Sequence, residues 1–143
     1  MAPERLSHAL AKGTVYRRLV EGSRRRPFPA RSFRTAWKSR WMPGRCSSPL
    51  LRCGDALPGD TIKGLDPLLV VEVLSPSTSG VDATRKLIGY FRIPSLHHYL
   101  LVDADRLVLV HHRRAEDGEI VTRILPPGPL RLDPPGVGFD PFG

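Results

Sequence analysis

The stretch that decides the fold is DPLLVVEVLSPSTSG, residues 66–80. Its apolar run, Leu68–Leu74, is interrupted only by Glu72, a pattern typical of a strand that is covered on both faces. Pro76 cannot continue a central strand, so the run ends in the turn-rich segment SPSTSG. The spacing of apolar residues over 81–92 then predicts a helix. The stretch and the residues that follow it therefore predict a strand, a turn and a helix in succession.

The same patterns extend outward from this unit. Residues 1–23 predict a first helix, and three strands are expected at 99–102, 107–110 and 120–125, while the proline-rich end from 126 onward is expected to be irregular. The order of helices and strands predicts an α/β (α+β) fold, a mixed sheet flanked by helices. The apolar stripe of the first helix is expected from Leu6, Leu10, Val15 and Leu19, and that of the second from Val81, Thr84, Ile88 and Phe91, widened by Leu87 and Tyr90.

Glu72 is the most informative residue, because a carboxylate inside an apolar strand is costly to bury without a partner. Its partner is expected on the following helix. Glu72 lies roughly 10 Å before the turn at strand rise, and Lys86 lies roughly 9 Å beyond it at helical rise. A helix folding back over the strand would bring both to the same level. Three alternatives stay open: a structural ion pair at Glu72, a position of Glu72 at the open end of the strand, and an ordinary solvated pair between Asp82 and Lys86.

The charge of the chain is unevenly distributed. The 143 residues suit one domain, with 22 basic and 14 acidic residues. Residues 22–54 hold nine basic residues and no acid, and 24–49 shows neither helical nor strand periodicity, so this segment is expected to be an irregular basic arm. If it binds nucleic acid, the candidate contacts are Arg24, Arg25, Arg26 and Lys38.

Other features exclude some classes of protein. No apolar run approaches the roughly 20 residues that a membrane span needs, and the N-terminus lacks a signal-peptide core, so neither a membrane nor a secreted protein is expected. Cys46 and Cys53 predict two unpaired thiols in a reducing cytoplasm. A hairpin loop at Ala104-Asp105 would place His98 opposite His111 and His97 opposite His112. A zinc site there would need further ligands, which makes histidines at strand ends the favoured interpretation.

The motifs quoted above resemble a known family. DPLLVVEVLSPST at 66–78, followed by Asp82, Lys86 and Tyr90, and then by the strand YLLVD at 99–103, is similar to the Uma-two family of restriction endonucleases. These are bacterial members of the PD-(D/E)XK nuclease superfamily. The resemblance is good over 55–133 and extends to the N-terminal helix, which implies a single nuclease-like domain over 1–143.

The resemblance implies a Mg²⁺-dependent site that hydrolyses phosphodiester bonds of DNA. Glu72 would be a metal ligand, and Lys86 would orient water or stabilise charge. Leu74 stands where the superfamily usually has its lysine, so the helix is expected to supply it. The remaining family positions, Asp82, Tyr90 and Ser75, would support the site.

The resemblance also implies a first metal-binding aspartate that this sequence lacks. The aspartate would fall between Pro49 and Leu50, after a strand hairpin, where the sequence has the basic segment. A one-nucleotide frame shift, or a sequencing error, over 27–49 would account for its loss. With suitable GC-rich codons, the neighbouring frame spells LPCEVFPDGMEVEVDAGTVFEP, which has a strand-like alternation and acids. Asp55, Asp60 and Asp66 lie nearby but not on the missing strand.

Two function classes follow. The first is a cytoplasmic, bacterial, metal-dependent endonuclease that is weak or inactive as written. The second is a non-catalytic DNA-binding protein that uses the basic segment 24–52 on a nuclease-like scaffold. DNA is the expected partner in both classes, and homodimer formation is a further expectation.

Overall fold

The computed structural model describes residues 6–24, 32–34, 37–38, 45–46, 50–52, 67–74, 80–134 and 136–143, with side chains described within 10–22, 67–74, 83–134 and 136–143. In chain order, the elements of this part of the chain are α1 (Leu6–Arg24), β1 (Ser32–Arg34), β2 (Trp37–Lys38), β3 (Arg45–Cys46), β4 (Leu50–Arg52), β5 (Pro67–Val73), α2 (Gly80–Phe91), β6 (His98–Asp103), β7 (Val108–Arg114), β8 (Ile120–Leu125), β9 (Leu130–Leu132) and β10 (Val137–Phe139).

The main sheet is mixed, as predicted. Its strand order is β1-β4-β5-β6-β7-β8. Strands β5 and β6 are parallel, and the other neighbouring pairs are antiparallel. A parallel pair needs a crossover connection, which α2 supplies between β5 and β6. The strand–turn–helix unit predicted from residues 66–92 therefore includes the crossover at the centre of the fold.

Each face of this sheet carries its own apolar cluster. On one face, α1 and the small sheet formed by β9 and β10 pack on alternate residues of β5 and β6, among them Val71 and Leu100. On the other face, α2 packs on the intervening residues, including Val70 and Tyr99. Because side chains alternate along a strand, Glu72 points to the same face as Val70, toward α2. The crossover thus decides which face the carboxylate shares with Lys86.

The helices bury different residues from some of those expected. Leu10 of α1 is 62 % exposed and Ile88 of α2 is 56 % exposed, so their placement in the apolar stripes was wrong. The buried stripe of α1 follows Val15 and Leu19, and Leu10 lies five positions before Val15, which turns it away from that face. In α2 the buried face centres on Tyr90 instead of Ile88.

Two segments expected to be irregular contain strands. In the proline-rich C-terminal part, β9 and β10 pair with each other and β10 contacts α1, so that expectation was wrong. All six prolines of this part lie outside the two strands, where the ladder needs no donor. Within 24–49, Arg24 ends α1, β1, β2 and β3 are short strands, and β2 pairs with β3; the other residues of the segment lie outside the described ones. The single-domain organisation and the core limits of 55–133 stay predictions.

Within the part of the chain that the structure describes, no helix is both long enough and apolar enough to cross a membrane.

Candidate active site around Glu72

Glu72 lies in β5, and its side chain is only 11 % exposed. It is the one charged residue of that strand, and Val71 and Val73 on either side of it are buried against α1's face of the sheet. A carboxylate in this position is costly unless charged or hydrogen-bonding groups compensate for its lost hydration. The partners described next provide that compensation.

Lys86 of α2 reaches this carboxylate. Its Nζ atom lies 3.3 Å from Oε1 and 3.5 Å from Oε2 of Glu72. The helix folds back over β5 as the matched distances from the turn implied, and the ammonium group does not point away from the strand. The side chain of Lys86 is about one third exposed, so the ion pair lies at the boundary between the core and solvent. The approach of the two residues is thus shown, while their catalytic roles stay predictions.

Two buried tyrosines hold the same carboxylate. The hydroxyl of Tyr90, from α2, donates to Oε1 at 3.0 Å, and the hydroxyl of Tyr99, from β6, donates to Oε2 at 2.9 Å. Their ring centroids are 4.8 Å apart, and both residues are fully buried. Hydrogen bonds that end on a carboxylate are shorter and stronger than bonds between two neutral groups. Together with Lys86, they fix the orientation of Glu72 from two different elements.

Tyr99 is the site residue that the sequence reasoning missed. A signal was present, because a tyrosine in an apolar strand needs a partner for its hydroxyl once it is buried. Finding that partner requires the parallel register of β5 and β6, in which Val70 lies opposite Tyr99 and Glu72 opposite Leu101. The two side chains are therefore diagonal neighbours on one face of the sheet.

Several predicted site residues lie outside what the structure describes. Ser75 is not among the described residues, and the side chains of Asp82, Arg24, Arg25, Arg26 and Lys38 are not described. The position between Pro49 and Leu50, where the family's aspartate would fall, borders β4, which pairs antiparallel with β5 and puts Leu50 opposite Val70. An acid just before Leu50 would thus precede a strand that pairs with residues 67–70 of β5, the strand that carries Glu72.

The carboxylate of Glu72 is suited to serve as one ligand of a Mg²⁺ ion. Carboxylate oxygens are the side-chain ligands that Mg²⁺ prefers, and it is commonly held by one or two of them together with water and substrate oxygens. In the described residues, no group of three or more histidine, cysteine, aspartate or glutamate side chains could hold a metal ion. Glu72 is the described carboxylate that would contribute to such a site.

The histidines form a separate cluster, in a register that differs from the expected one. Asp103 pairs with Val108, so the β6–β7 loop has four residues rather than two, and Leu100, not His98, lies opposite His111. In this loop the backbone N–H of Arg106 donates to the carboxylate of Asp103. A shift of two residues preserves the face of each side chain, so His98 and His111 still meet as diagonal neighbours.

The protonation of this pair follows from its partners. Nε2 of His98 lies 2.7 Å from the carbonyl oxygen of Pro134 and must donate to it. Nδ1 of His98 then accepts from Nε2 of His111, at 3.0 Å. Burial lowers the pKa of His98 to about 4 and the pKa of His111 to about 4. Both rings are therefore neutral near pH 7, on the opposite face of the sheet from Glu72.

His112 links the Glu72 face to the outer strand. Its ring stacks on Tyr99 with 5.6 Å between centroids, and its Nδ1 atom is hydrogen-bonded to Oγ1 of Thr122 in β8 at 2.8 Å. Burial lowers the pKa of His112, which favours the neutral ring in this stack. A continuous set of contacts thus runs from the carboxylate through Tyr99 to β8.

Comparisons with known proteins agree with the resemblance. A family model named Uma2 and described as "Putative restriction endonuclease" matches residues 1–140. A similar solved structure is that of "a putative nuclease belonging to DUF820" from Anabaena variabilis ATCC 29413, with a TM-score of 0.63 and 14 % identity over 93 % of this chain and 75 % of that chain. At this identity the likeness shows the fold alone. The curated proteins gave no match. Since the family model spans almost the whole sequence, this chain belongs to the Uma2 family.

Proposed function

We propose that this chain is a nuclease-family protein whose site is built for Mg²⁺-dependent hydrolysis of DNA phosphodiester bonds. The observation that carries the proposal is the arrangement at Glu72, a nearly buried carboxylate contacted by Lys86, Tyr90 and Tyr99. Membership in the Uma2 family makes a nucleic-acid substrate the expected one. A carboxylate held this firmly beside an ammonium group suits a site that must position charge for a reaction.

Each residue has a definite part in this proposal. Glu72 would hold the metal ion, and Mg²⁺ in such a site activates water and stabilises charge on the phosphate. Lys86 keeps its ammonium within 3.5 Å of both carboxylate oxygens, close enough to orient a water molecule or to neutralise a phosphate oxygen beside Glu72. Tyr90 and Tyr99 act as positioning residues, because their hydroxyls fix the plane of the carboxylate.

We further propose that the chain as written cleaves DNA weakly or not at all. The family resemblance implies an aspartate that would fall between Pro49 and Leu50, and the sequence has none there. Losing one of two metal-holding carboxylates removes negative charge that offsets the dehydration of Mg²⁺. The impairment thus follows from the basic segment at 27–49 and not from any defect around Glu72.

The test uses a repaired chain in which LPCEVFPDGMEVEVDAGTVFEPDA replaces residues 27–49. We expect this protein to nick plasmid DNA with Mg²⁺ or Mn²⁺. Glu72→Gln and Lys86→Ala should each lower its cleavage rate by at least about a hundredfold while the far-ultraviolet circular dichroism stays unchanged. Arg85→Ala is the matched control for Lys86, because it removes an exposed cation from the neighbouring position of α2. Equal losses with both α2 variants would argue against a specific role for Lys86.

A second candidate is a non-catalytic DNA-binding protein, favoured by the nine basic residues and absence of acids in residues 22–54. Binding through phosphate contacts weakens steeply with salt. Deleting residues 24–45 should therefore abolish salt-dependent DNA binding if this candidate is correct. If binding survives the deletion, the basic segment is not the contact surface.

We also propose that the protein is of bacterial origin and lies in the cytoplasm. The bacterial origin follows from the family resemblance, and the cytoplasm suits two cysteines, Cys46 and Cys53, whose number and spacing form no disulfide framework. We propose homodimer formation as well, through the edge strand β8.

A further inference from the structure

Strand β8 ends the main sheet and carries exposed apolar side chains on both of its faces. It pairs with β7 alone among the described strands of the main sheet. Ile124 is 74 % exposed, and Ile120 and Val121 are exposed by more than a third. The strand contains no proline, and Arg123 is its single charge. Soluble proteins usually protect such an edge with prolines, several charges or a covering segment, because its free backbone groups invite another strand.

The hydrogen-bond pattern of β7 and β8 tells which backbone groups face outward. Ala115 donates its N–H to the carbonyl oxygen of Glu119, the residue directly opposite in the continued register. Bonded and non-bonded pairs alternate in an antiparallel ladder. The odd-numbered residues of β8 therefore bond to β7. The outward N–H and C=O groups belong to Ile120, Thr122 and Ile124.

These outward groups are symmetric about Thr122. In an antiparallel pairing of two β8 strands, residues directly opposite each other lie on the same face, and a two-fold axis at Thr122 places Ile120 opposite Ile124 of the second copy. Each opposed pair then exchanges two backbone hydrogen bonds, so every outward group finds a partner. An axis at Val121 would place Ile124 opposite Gly118, which lies in the turn, and would leave fewer groups paired.

The side chains match in the same register. Ile120 meets Ile124 of the second copy on the face toward α2, which covers the most exposed apolar side chain of the strand. On the other face, Glu119 becomes a diagonal neighbour of Arg123 from the second copy, twice by symmetry. The strand is therefore complementary to itself in backbone, apolar contact and charge.

We propose that β8 forms the interface between two copies of this chain, paired antiparallel about Thr122 into one continuous sheet. The occupant of this edge is thus a second copy, as a closed two-fold contact requires. A strand pair buries less area than a standard interface, so a dissociation constant in the micromolar range is expected. The inference does not depend on the nuclease proposal.

Sedimentation velocity of the full chain over a range of concentrations tests this proposal. The wild-type chain should pass from monomer to dimer, and Ile124→Lys should raise the dissociation constant by about tenfold or more. Ile88→Lys is the matched control, since it places the same charge at an exposed isoleucine of α2 and should change the constant by less than about twofold. Circular dichroism confirms that both variants fold.

A charge exchange provides a second readout if Ile124→Lys fails to fold. Glu119→Arg should weaken the dimer, and adding Arg123→Glu should restore most of the loss. A monomer at all concentrations would overturn the proposal. A dimer that neither Ile124→Lys nor Glu119→Arg weakens would overturn it too, because its interface would lie elsewhere.

Discussion

The hydroxyl of Tyr99 donates a 2.9 Å hydrogen bond to Oε2 of Glu72, from a parallel strand to its neighbour. The Tyr99 ring in turn stacks on His112, whose Nδ1 atom is bonded to Thr122 in β8. The orientation of the carboxylate is therefore set by contacts that span β5, β6, β7 and β8. A site supported by strands is held more firmly than one supported by loops.

Replacing Tyr99 by phenylalanine should destabilise the protein by about 1.5–3 kcal/mol, because a bond to a charged, nearly buried acceptor is lost while the ring packing is kept. Urea unfolding followed by circular dichroism measures this change. In a Glu72→Gln background the same substitution should cost less, since the acceptor is then neutral. A loss below about 0.5 kcal/mol would show that Tyr99 does not hold the carboxylate.

Arg114, the last residue of β7, should stabilise the protein by holding the C-terminal end of α2 and the residues that follow it. Its guanidinium donates to the carbonyl oxygens of Phe91, Ile93 and Leu96 and lies 5.4 Å from the centre of the Phe91 ring. Arg114→Ala would remove the Arg114 bonds to Phe91 and Leu96, while the Ile93 oxygen would keep the N–H of Leu96 as a donor; the variant should cost about 2–3 kcal/mol in urea unfolding. The exposed neighbour Arg113 is the matched control, and Arg113→Ala should stay within about 0.5 kcal/mol of wild type.

Stability should fall as the pH drops from about 6.5 to about 4. Burial lowers the pKa of His98 and of His111 to about 4 in the folded protein, from an ordinary value of 6.5. Between these values the unfolded chain binds protons that the folded chain does not. The two histidines therefore contribute fully to the free energy of unfolding above pH 6.5, and this contribution is lost as the pH falls toward 4. Urea unfolding at pH 7.5, 5.5 and 4.5 measures the slope.

The contribution of His98 and His111 to the pH dependence of stability can be separated from that of the carboxyl groups. His111→Gln removes one titrating ring, so the variant should lose less stability between pH 7.5 and 4.5 than the wild type does. Identical slopes for the two proteins would contradict the assignment of His111 as a buried neutral histidine.

The sequence is sufficient for the central unit of the fold and for half of the candidate site. The apolar run, the turn at Ser75 and the helical spacing are local signals, and by themselves they place Glu72 and Lys86 at the same level, where the two side chains meet. Tyr99 cannot be found in this way, because its contact depends on the register between two strands separated by a helix. Local patterns do not determine such a register.

The remaining errors have the same origin. Leu10 and Ile88 are apolar residues whose exposure depends on how each helix is rotated against the sheet. The loop between Asp103 and Val108 has four residues, so the histidine register differs by two from the expected one. Arg106 lies within this loop, and its hydrogen bond to Asp103 stabilises the longer loop. The pairing of β9 with β10 is stabilised by contacts between α1 and β10. These contacts cannot be predicted from the proline-rich sequence alone.

The frame-shift hypothesis makes a prediction about the gene. Reading codons 26 to 50 in the neighbouring frame should yield a peptide close to LPCEVFPDGMEVEVDAGTVFEP followed by an aspartate. Such a peptide would restore an acidic, strand-like segment next to β4. Resequencing this region of the gene provides the check, and a neighbouring frame interrupted by stop codons, or without acids, would contradict the hypothesis.

Cleavage of supercoiled plasmid by the chain as written tests the account of the site most directly. With Mg²⁺ or Mn²⁺ we expect little or no nicking, because the proposed site would have Glu72 without the aspartate that the family resemblance implies between Pro49 and Leu50. The repaired chain, assayed beside it, should nick the plasmid and lose this activity with Glu72→Gln. Robust Mg²⁺-dependent cleavage by the unrepaired chain would contradict the account and show that another acid, such as Asp66, completes the site.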